Sequence, residues 1–330
     1  MTNLGTVVLT DHPWPDVAVE RELIESAGYR LIAGPVTAGS AEQIEALIAQ
    51  HDPLAIMTCW APVSARAIAS PRALRIVARM GVGLDNIDVP AVTARGAWVT
   101  NVPDYCVEEV SDHVVAFLLS AWRGVTTLDR QAKRGIWRPA AAPTLRRAAD
   151  RCVGIIGYGH IGKRTAHKLS EGFGCRVLVH SPSLSALHPD STQLATRIFT
   201  ASLDTLQREA DAIVLHLPLK PDTRHLIDVE FLRACAARQP WLINVSRGGL
   251  VDTTALLEAL DGQWLSGAAL DVVESEPTPP AALLQREDVI ITPHIAYSSD
   301  ASLLELRQRV SQEVLRVLRN EQPLHPCNIV

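Results

Sequence analysis

The sequence predicts an α/β protein of two doubly wound parallel-sheet domains, one inserted into the other. Three observations lead there. Short apolar runs alternate with longer amphipathic ones, the alternation starts afresh near residue 152, and no strand follows the last amphipathic stretch. The runs "TVVLT" (6–10), "LAIMTC" (54–59) and "LRIVARM" (74–80) read as buried strands, and "VAVERELIESAG" (17–28) and "SAEQIEALIAQ" (40–50) read as helices between them. Strands and helices alternating in this way form a parallel sheet covered on both faces. A second series runs through "CVGIIGYG", "CRVLVHSP", "ADAIVLHLPL", "PWLINVS", "LSGAALDV" and "DVIITPH". Between the two series, Val107 to Gly135 reads as one apolar-faced helix with acids at its start and bases near its end, as the helix dipole favours, and is expected to link the domains. The closing helix, "ASLLELRQRVSQEVLRVLRNEQ", is expected to return to the first domain, with a ligand cleft between the two.

Composition narrows the class. At 330 residues the chain has room for two domains, which commonly run about 100–200 residues each. A hydrophobic fraction of 47% with 20% charged residues is that of a globular protein, and a formal net charge of −5 without basic runs argues against a nucleic-acid partner. The opening "MTNLGTVVLTDHPWPD" lacks the pattern of a signal peptide, and no apolar run reaches the roughly 18 residues of a membrane span. A cytoplasmic protein with no membrane partner is expected. Six scattered cysteines without a CxxC pair fit buried, reduced thiols better than disulfides, and no cluster has metal-ligand spacing, so no metal is expected.

The strand "RCVGII" runs directly into Gly157-Tyr158-Gly159-His160-Ile161-Gly162, and "KRTAHKLSEGFG" continues as a helix. This is the strand–turn–helix context of a dinucleotide fingerprint. The first glycine permits a tight turn, the second lets the backbone approach a pyrophosphate, and the third lets the helix pack closely on the strand. The helix N-terminus then offers its unpaired N–H groups to the phosphates. About 20 residues on, an NAD site should present an acid to the adenosine ribose. Ser181 stands there instead, and no arginine follows it to favour NADP. NAD is the favoured cofactor, with NADP left open.

Three separated blocks, "RMGVGLDNID" (79–88), the glycine run, and the series "INVSRGGLVD", "GAALDVVESEP" and "ITPHIAYSS", resemble the D-isomer-specific 2-hydroxyacid dehydrogenase family over nearly the whole chain. "NVPDYCVEEVSDH" and the C-terminal stretch look most like its C-terminal-binding-protein-like and phosphoglycerate dehydrogenase-like branch. The resemblance implies a Rossmann-like nucleotide-binding domain, 102–295, inserted into a discontinuous flavodoxin-like substrate domain, 1–101 with 296–330. It also implies a homodimer pairing through the nucleotide domain and the helix near 107–135. Residue by residue, Arg247, Glu276 and His294 match the family's catalytic arginine, glutamate and histidine. Glu276, directly before proline, is preferred to Glu274. Asp271 resembles the aspartate that contacts the nicotinamide carboxamide. Around the cofactor the resemblance adds Leu217, Pro218, Thr223, Val245 and Ser246 to the glycine run and Ser181. Val82 and Gly83 match the loop whose amides hold the substrate carboxylate, with Arg79 at its rim, and Trp60 and Tyr297 are candidates for the substrate pocket.

This set suits the reduction of a 2-oxo acid. Charge builds on the carbonyl oxygen as hydride arrives at carbon, so a proton donor and a fixed cation are needed. Imidazole, with an ordinary pKa of about 6.5, is suited to donate that proton. A carboxylate at 276 would orient the ring of His294. The planar, always-charged fork of Arg247 would bind the substrate carboxylate and polarise the carbonyl. An alternative is an NAD(H)-sensing, corepressor-like binding module with little catalysis. Glutamate at 276 separates the chain from formate dehydrogenases, which carry glutamine, and "RMGVG" from phosphite dehydrogenases. Phosphoglycerate oxidation and glyoxylate or hydroxypyruvate reduction stay open.

Overall fold

The computed structural model describes residues 4–138 and 144–330. Two compact units are present, Met1–Tyr105 with Ser299–Val330, and Cys106–Ser298.

The first unit is built on five strands, β1 (Thr6–Leu9), β2 (Arg30–Ala33), β3 (Ala55–Thr58), β4 (Ile76–Arg79) and β5 (Trp98–Thr100), all parallel in the order β2-β1-β3-β4-β5. That is the flavodoxin-like order. β3 and β4 are buried at every position, as strands covered on both faces must be. Helix Ala41–His51 starts at a capping box, with Ser40 accepting from the Gln43 amide and Gln43 accepting from the Ser40 amide, and turns Ile44 and Ile48 into the core. The closing helix, Asp300–Leu318, packs on helix Ala18–Ser26 and on β4. There the fully buried Glu20 meets the Arg307 guanidinium in a bidentate pair, 2.8 and 2.7 Å. Beyond that helix, the Cys327 amide donates to the Val99 carbonyl and Asn328 accepts from the Val99 amide, covering the open edge at β5.

The second unit carries β6 (Cys152–Ile156), β7 (Arg176–His180), β8 (Gln193–Ala195), β9 (Ile198–Thr200), β10 (Ala212–Leu215), β11 (Trp241–Asn244), β12 (Gly267–Leu270) and β13 (Val289–Ile291). They line up as β13-β12-β11-β10-β6-β7-β9-β8, parallel except for the β8–β9 pair. Leaving β8 aside, this is the Rossmann order, with its switch point between β6 and β10. Leu178, Leu206, Leu215 and Leu242 lie in the core beside the sheet, each contributing about 1.5–3 kcal/mol on burial.

One helix differs from expectation. Val107–Arg123 ends at Gly124, whose φ of 62° is left-handed, and a separate helix, Val125–Lys133, follows. A left-handed residue cannot continue a right-handed helix, and glycine adopts that conformation without steric cost. Val107–Arg123, the first element after the boundary between the units, packs inside the second unit on helix His160–His167 and on β11 and β12.

Candidate active site

The glycine turn leaves the C-terminal end of β6 at the switch point. Gly157 has a φ of 102°, and a Cβ there would lie 2.0 Å from the His216 carbonyl oxygen. A Cβ on Gly162 would lie 2.2 Å from the Gly157 carbonyl, whereas one on Gly159 would meet nothing within 4 Å. Two glycines are therefore dictated by packing, and the third faces open space. No side chain caps helix His160–His167, and the amides of Gly159, His160 and Ile161 donate to no acceptor among the described residues. An unfilled set of amides at a helix N-terminus, under a glycine with space above it, fits the pyrophosphate of a dinucleotide. Tyr158 in the turn has the Lys163 ammonium over its ring.

Around this turn, Ser181 is buried at the end of β7, with its hydroxyl 3.0 Å from that of Ser183. Leu217 and Pro218 follow β10, and the Thr223 hydroxyl closes their loop by donating to the Pro218 carbonyl and accepting from the Lys220 amide. Beside β11, the Ser246 hydroxyl donates to the Leu215 carbonyl, and Val245 is buried. His216, which the sequence did not single out, stands against the glycine turn with its Nε2 3.0 Å from the Thr165 hydroxyl, and burial pushes its pKa down to about 3.

The chemistry-bearing side chains converge at the ends of β11, β12 and β13. Buried Asn244 folds the turn after β11, accepting from the Ser246 amide and donating to the Arg247 carbonyl. Gly248 permits a backbone-to-backbone approach, since a Cβ there would lie 2.0 Å from the Val273 carbonyl carbon. Arg247 is thereby held beside the segment that carries Glu276. Glu276 accepts from the Val273 amide at 3.0 Å through one oxygen and faces His294 Nδ1 at 2.7 Å through the other. Burial disfavours its charged form, but the His294 hydrogen bond and charge, the Val273 amide and the Arg247 guanidinium together hold its pKa below the ordinary value.

His294 has a φ of 52°, an uncommon conformation for a side chain branched into a ring. Asp271 holds it there. The His294 amide donates to the Asp271 carbonyl, and the buried Asp271 carboxylate accepts from the Ile295 and Ala296 amides and from the Thr292 hydroxyl. Both oxygens of Asp271 thus face the histidine turn. His113 reaches Thr292 at 3.0 Å, and burial, partly offset by the Asp271 charge, lowers its pKa. Tyr297 lies edge-on to His294, with ring centroids 6.4 Å apart. Glu274 points elsewhere, to His225 at 2.6 Å and to the Thr253 amide and hydroxyl.

The remaining candidates belong to the first unit. Asn101 donates to the Val82 carbonyl and the Val102 amide to the Gly81 carbonyl, while the amides of Val82 and Gly83 donate to no acceptor among the described residues. Arg79 is buried under the ring of Trp60, 5.4 Å from its centroid. Among the described residues no group of side chains could hold a metal ion, and no helix is long and apolar enough to cross a membrane.

A Rossmann sheet with an open glycine cradle at its switch point and a histidine–carboxylate pair at neighbouring strand ends defines a nicotinamide-dinucleotide oxidoreductase. The family model described as D-isomer specific 2-hydroxyacid dehydrogenase, NAD binding domain, matches residues 115–296. A glyoxylate reductase of Korarchaeum cryptofilum is 36% identical over 271 residues, which is 81% of this chain and 80% of that relative. A D-3-phosphoglycerate dehydrogenase of Mycobacterium bovis is 33% identical over 319 residues, covering 96% of this chain but only 57% of the relative's length. Among solved structures, D-lactate dehydrogenase from Aquifex aeolicus, complexed with NAD and lactic acid, superposes with a TM-score of 0.81 at 25% identity, over 96% of each chain. The chain belongs to the D-isomer specific 2-hydroxyacid dehydrogenase family. Its cofactor is NAD, and it is an oxidoreductase acting on a CH–OH group. These relatives are all named as enzymes, so nothing in them supports the corepressor-like alternative.

Proposed function

We propose that the protein interconverts a small 2-oxo acid and its D-2-hydroxy acid, with His294, Glu276 and Arg247 as the catalytic residues. The observation that carries this reading is the 2.7 Å contact between His294 Nδ1 and Glu276, made in a turn that Asp271 holds in place. The glycine turn 157–162, Ser181, the 217–223 loop and Val245–Ser246 would hold NAD, which when bound supplies or accepts the hydride at the substrate's carbon.

With Nδ1 committed to Glu276, Nε2 of His294 is the nitrogen that gives a proton to the carbonyl oxygen, or takes it from the hydroxyl in oxidation. Glu276 orients the ring and stabilises the imidazolium that remains after oxidation. Arg247 supplies fixed positive charge for the substrate carboxylate and the developing oxyanion, a term worth several kcal/mol in related sites, about 2.7–4 kcal/mol per donor. The amides of Val82 and Gly83, which donate to no acceptor among the described residues, would by the family resemblance bind the substrate carboxylate. Of the two units, the first would then be the substrate-binding domain.

Mixing the protein with NADH and a panel of 2-oxo acids, while following NADH absorbance, tests the reading. Turnover on at least one acid is expected, and none on any of them with NADH bound would refute it. Since the pKa of Glu276 is depressed, its pairing with His294 persists until the pH falls through that lowered value, and activity should drop there because the ring loses its anchor.

A homodimer is part of this proposal. Val125, Ile136, Trp137 and Leu145 expose 57, 45, 85 and 39% of their surfaces within one short stretch, the composition of a protein–protein contact. Light scattering on the purified protein should give twice the chain mass. All six cysteines are free thiols, which fits a reducing, cytoplasmic setting, and fractionation of the native cells checks it.

A further inference from the structure

Glu276 stands in a stretch, residues 271–280, that forms neither helix nor strand, so no ladder of backbone bonds holds it in register. The same stretch carries a second glutamate. Glu274 faces His225 Nε2 at 2.6 Å and Arg224 at 3.3 Å through one oxygen, and its other oxygen accepts from the Thr253 amide at 3.2 Å and the Thr253 hydroxyl at 3.0 Å. His225 and His294 share an uncommon backbone, with φ of 51° and 52°. Two imidazole–carboxylate pairs, each offered from a left-handed turn, therefore grip this one stretch.

The His225 turn is itself fastened to the chain that follows Arg247. Its amide donates to the Gly249 carbonyl at 2.9 Å, the Ile227 amide to the Leu250 carbonyl at 3.0 Å, and the Asp252 amide back to the Ile227 carbonyl at 3.0 Å, around a parallel bridge between Ile227 and Val251. Thr253 is the first residue of helix Thr253–Asp261. Glu274 thus ties its own stretch to two fixed segments. Burial pushes its pKa up, but the His225 hydrogen bond and charge and the Thr253 amide and hydroxyl outweigh this and hold it below the ordinary carboxylate value. Its bonds are those of a charged acceptor, the stronger kind. The neighbouring residue, Val273, gives its amide to Glu276.

We propose that Glu274 is a positioning residue for the acid–base pair: by gripping His225 and Thr253 it sets the place from which Glu276 reaches His294. The inference rests on the acid–base reading above. Proton transfer is intolerant of loose geometry, since a misplacement of about 1 Å can lower a rate about 100-fold. Glu276, on a stretch without regular structure, needs an anchor of its own.

The test measures NADH affinity by fluorescence titration, and kcat and KM with whichever of glyoxylate, pyruvate, hydroxypyruvate and phenylpyruvate the wild type reduces fastest. Glu274→Ala should lower kcat about tenfold while KM and the Kd for NADH stay within about twofold, and Glu274→Gln, whose amide oxygen can still accept from Thr253, should recover most of the loss. In a Glu276→Ala background the further effect of Glu274→Ala should be less than about twofold, because the group it positions is already gone. An unmoved kcat in Glu274→Ala overturns the inference. So does the full loss repeated in the Glu276→Ala background, or a Kd for NADH that rises as far as kcat falls, either of which marks a merely structural residue. Should Glu274→Ala fail to fold, His225→Asn, which tolerates the left-handed backbone and withdraws the imidazole, takes its place with the same outcomes. If the wild type reduces none of the acids although NADH binds, the hydride-transfer reading fails, and hydrogen exchange across residues 271–278 then judges the anchor alone. Faster exchange confined to that stretch in Glu274→Ala and reversed in Glu274→Gln supports it, and exchange equal to the wild type overturns it.

Discussion

The two sheets meet the same topological problem at their switch points and solve it in opposite ways. In the second unit the chain turns away from β6 through glycines, and the amides of Gly159, His160 and Ile161 meet no acceptor among the described residues. In the first unit the amides after β3 are as well aligned, but the Asp11 carboxylate already occupies them. An unfilled set of donors leaves room for an anion from outside, whereas a filled set yields a rigid loop that can only display its side chains. Parallel-sheet topology fixes where such an edge lies, and one acidic residue decides whether its amides stay open.

The largest expected effect that sharpens this contrast is at the chemistry itself. His294→Asn, which tolerates the left-handed backbone, should lower kcat by about 10²–10⁴ while leaving NADH binding intact, as stopped-flow and fluorescence titration would show. A loss of NADH binding would mean that cradle and acid–base pair are not separable.

Next comes the buried ion pair of the first unit. Arg307→Ala strands the fully buried Glu20 and should remove about 3–5 kcal/mol of stability, read from urea unfolding. NADH binding, a property of the second unit, should survive in the folded fraction. Within the glycine turn the two positions should part company. Gly157→Ala forces a Cβ onto the His216 carbonyl and should cost about 1–3 kcal/mol, whereas Gly159→Ala should leave the melting temperature alone and weaken NADH binding.

A further effect depends on pH. The folded pKa of His216 lies near 3, below the ordinary value, so between about 6.5 and 3 the unfolded chain binds a proton that the folded one does not. Stability should therefore fall as the pH drops through that window, and His216→Phe should flatten the slope in acid melts.

Much of this was legible in the sequence, but unevenly. The longer buried strands and the glycine turn carry local signatures, because burial on both faces demands continuous apolar runs and close approach demands glycine. Short strands such as β5 and β9, three residues each, carry no period to read. The break at Gly124 was hidden inside an apolar pattern that continues on both sides of it. Arg247, Glu276 and His294 stand out only as a set in a recognised order, since each alone is an ordinary surface type. Asp11, Asn244 and Asp271 were harder still. Their partners are backbone amides, which every residue has, and only the folded chain shows which amides converge.

The left-handed backbone at His294 has a consequence for anyone engineering this protein. Glycine or asparagine would occupy that position with less strain, so a screen that rewards heat resistance alone would drift toward replacing the proposed acid–base residue. Such variants would express well, melt late and turn over nothing. Selection for robustness in this scaffold has to be coupled to a turnover assay, or it will discard a residue the fold is bent to hold.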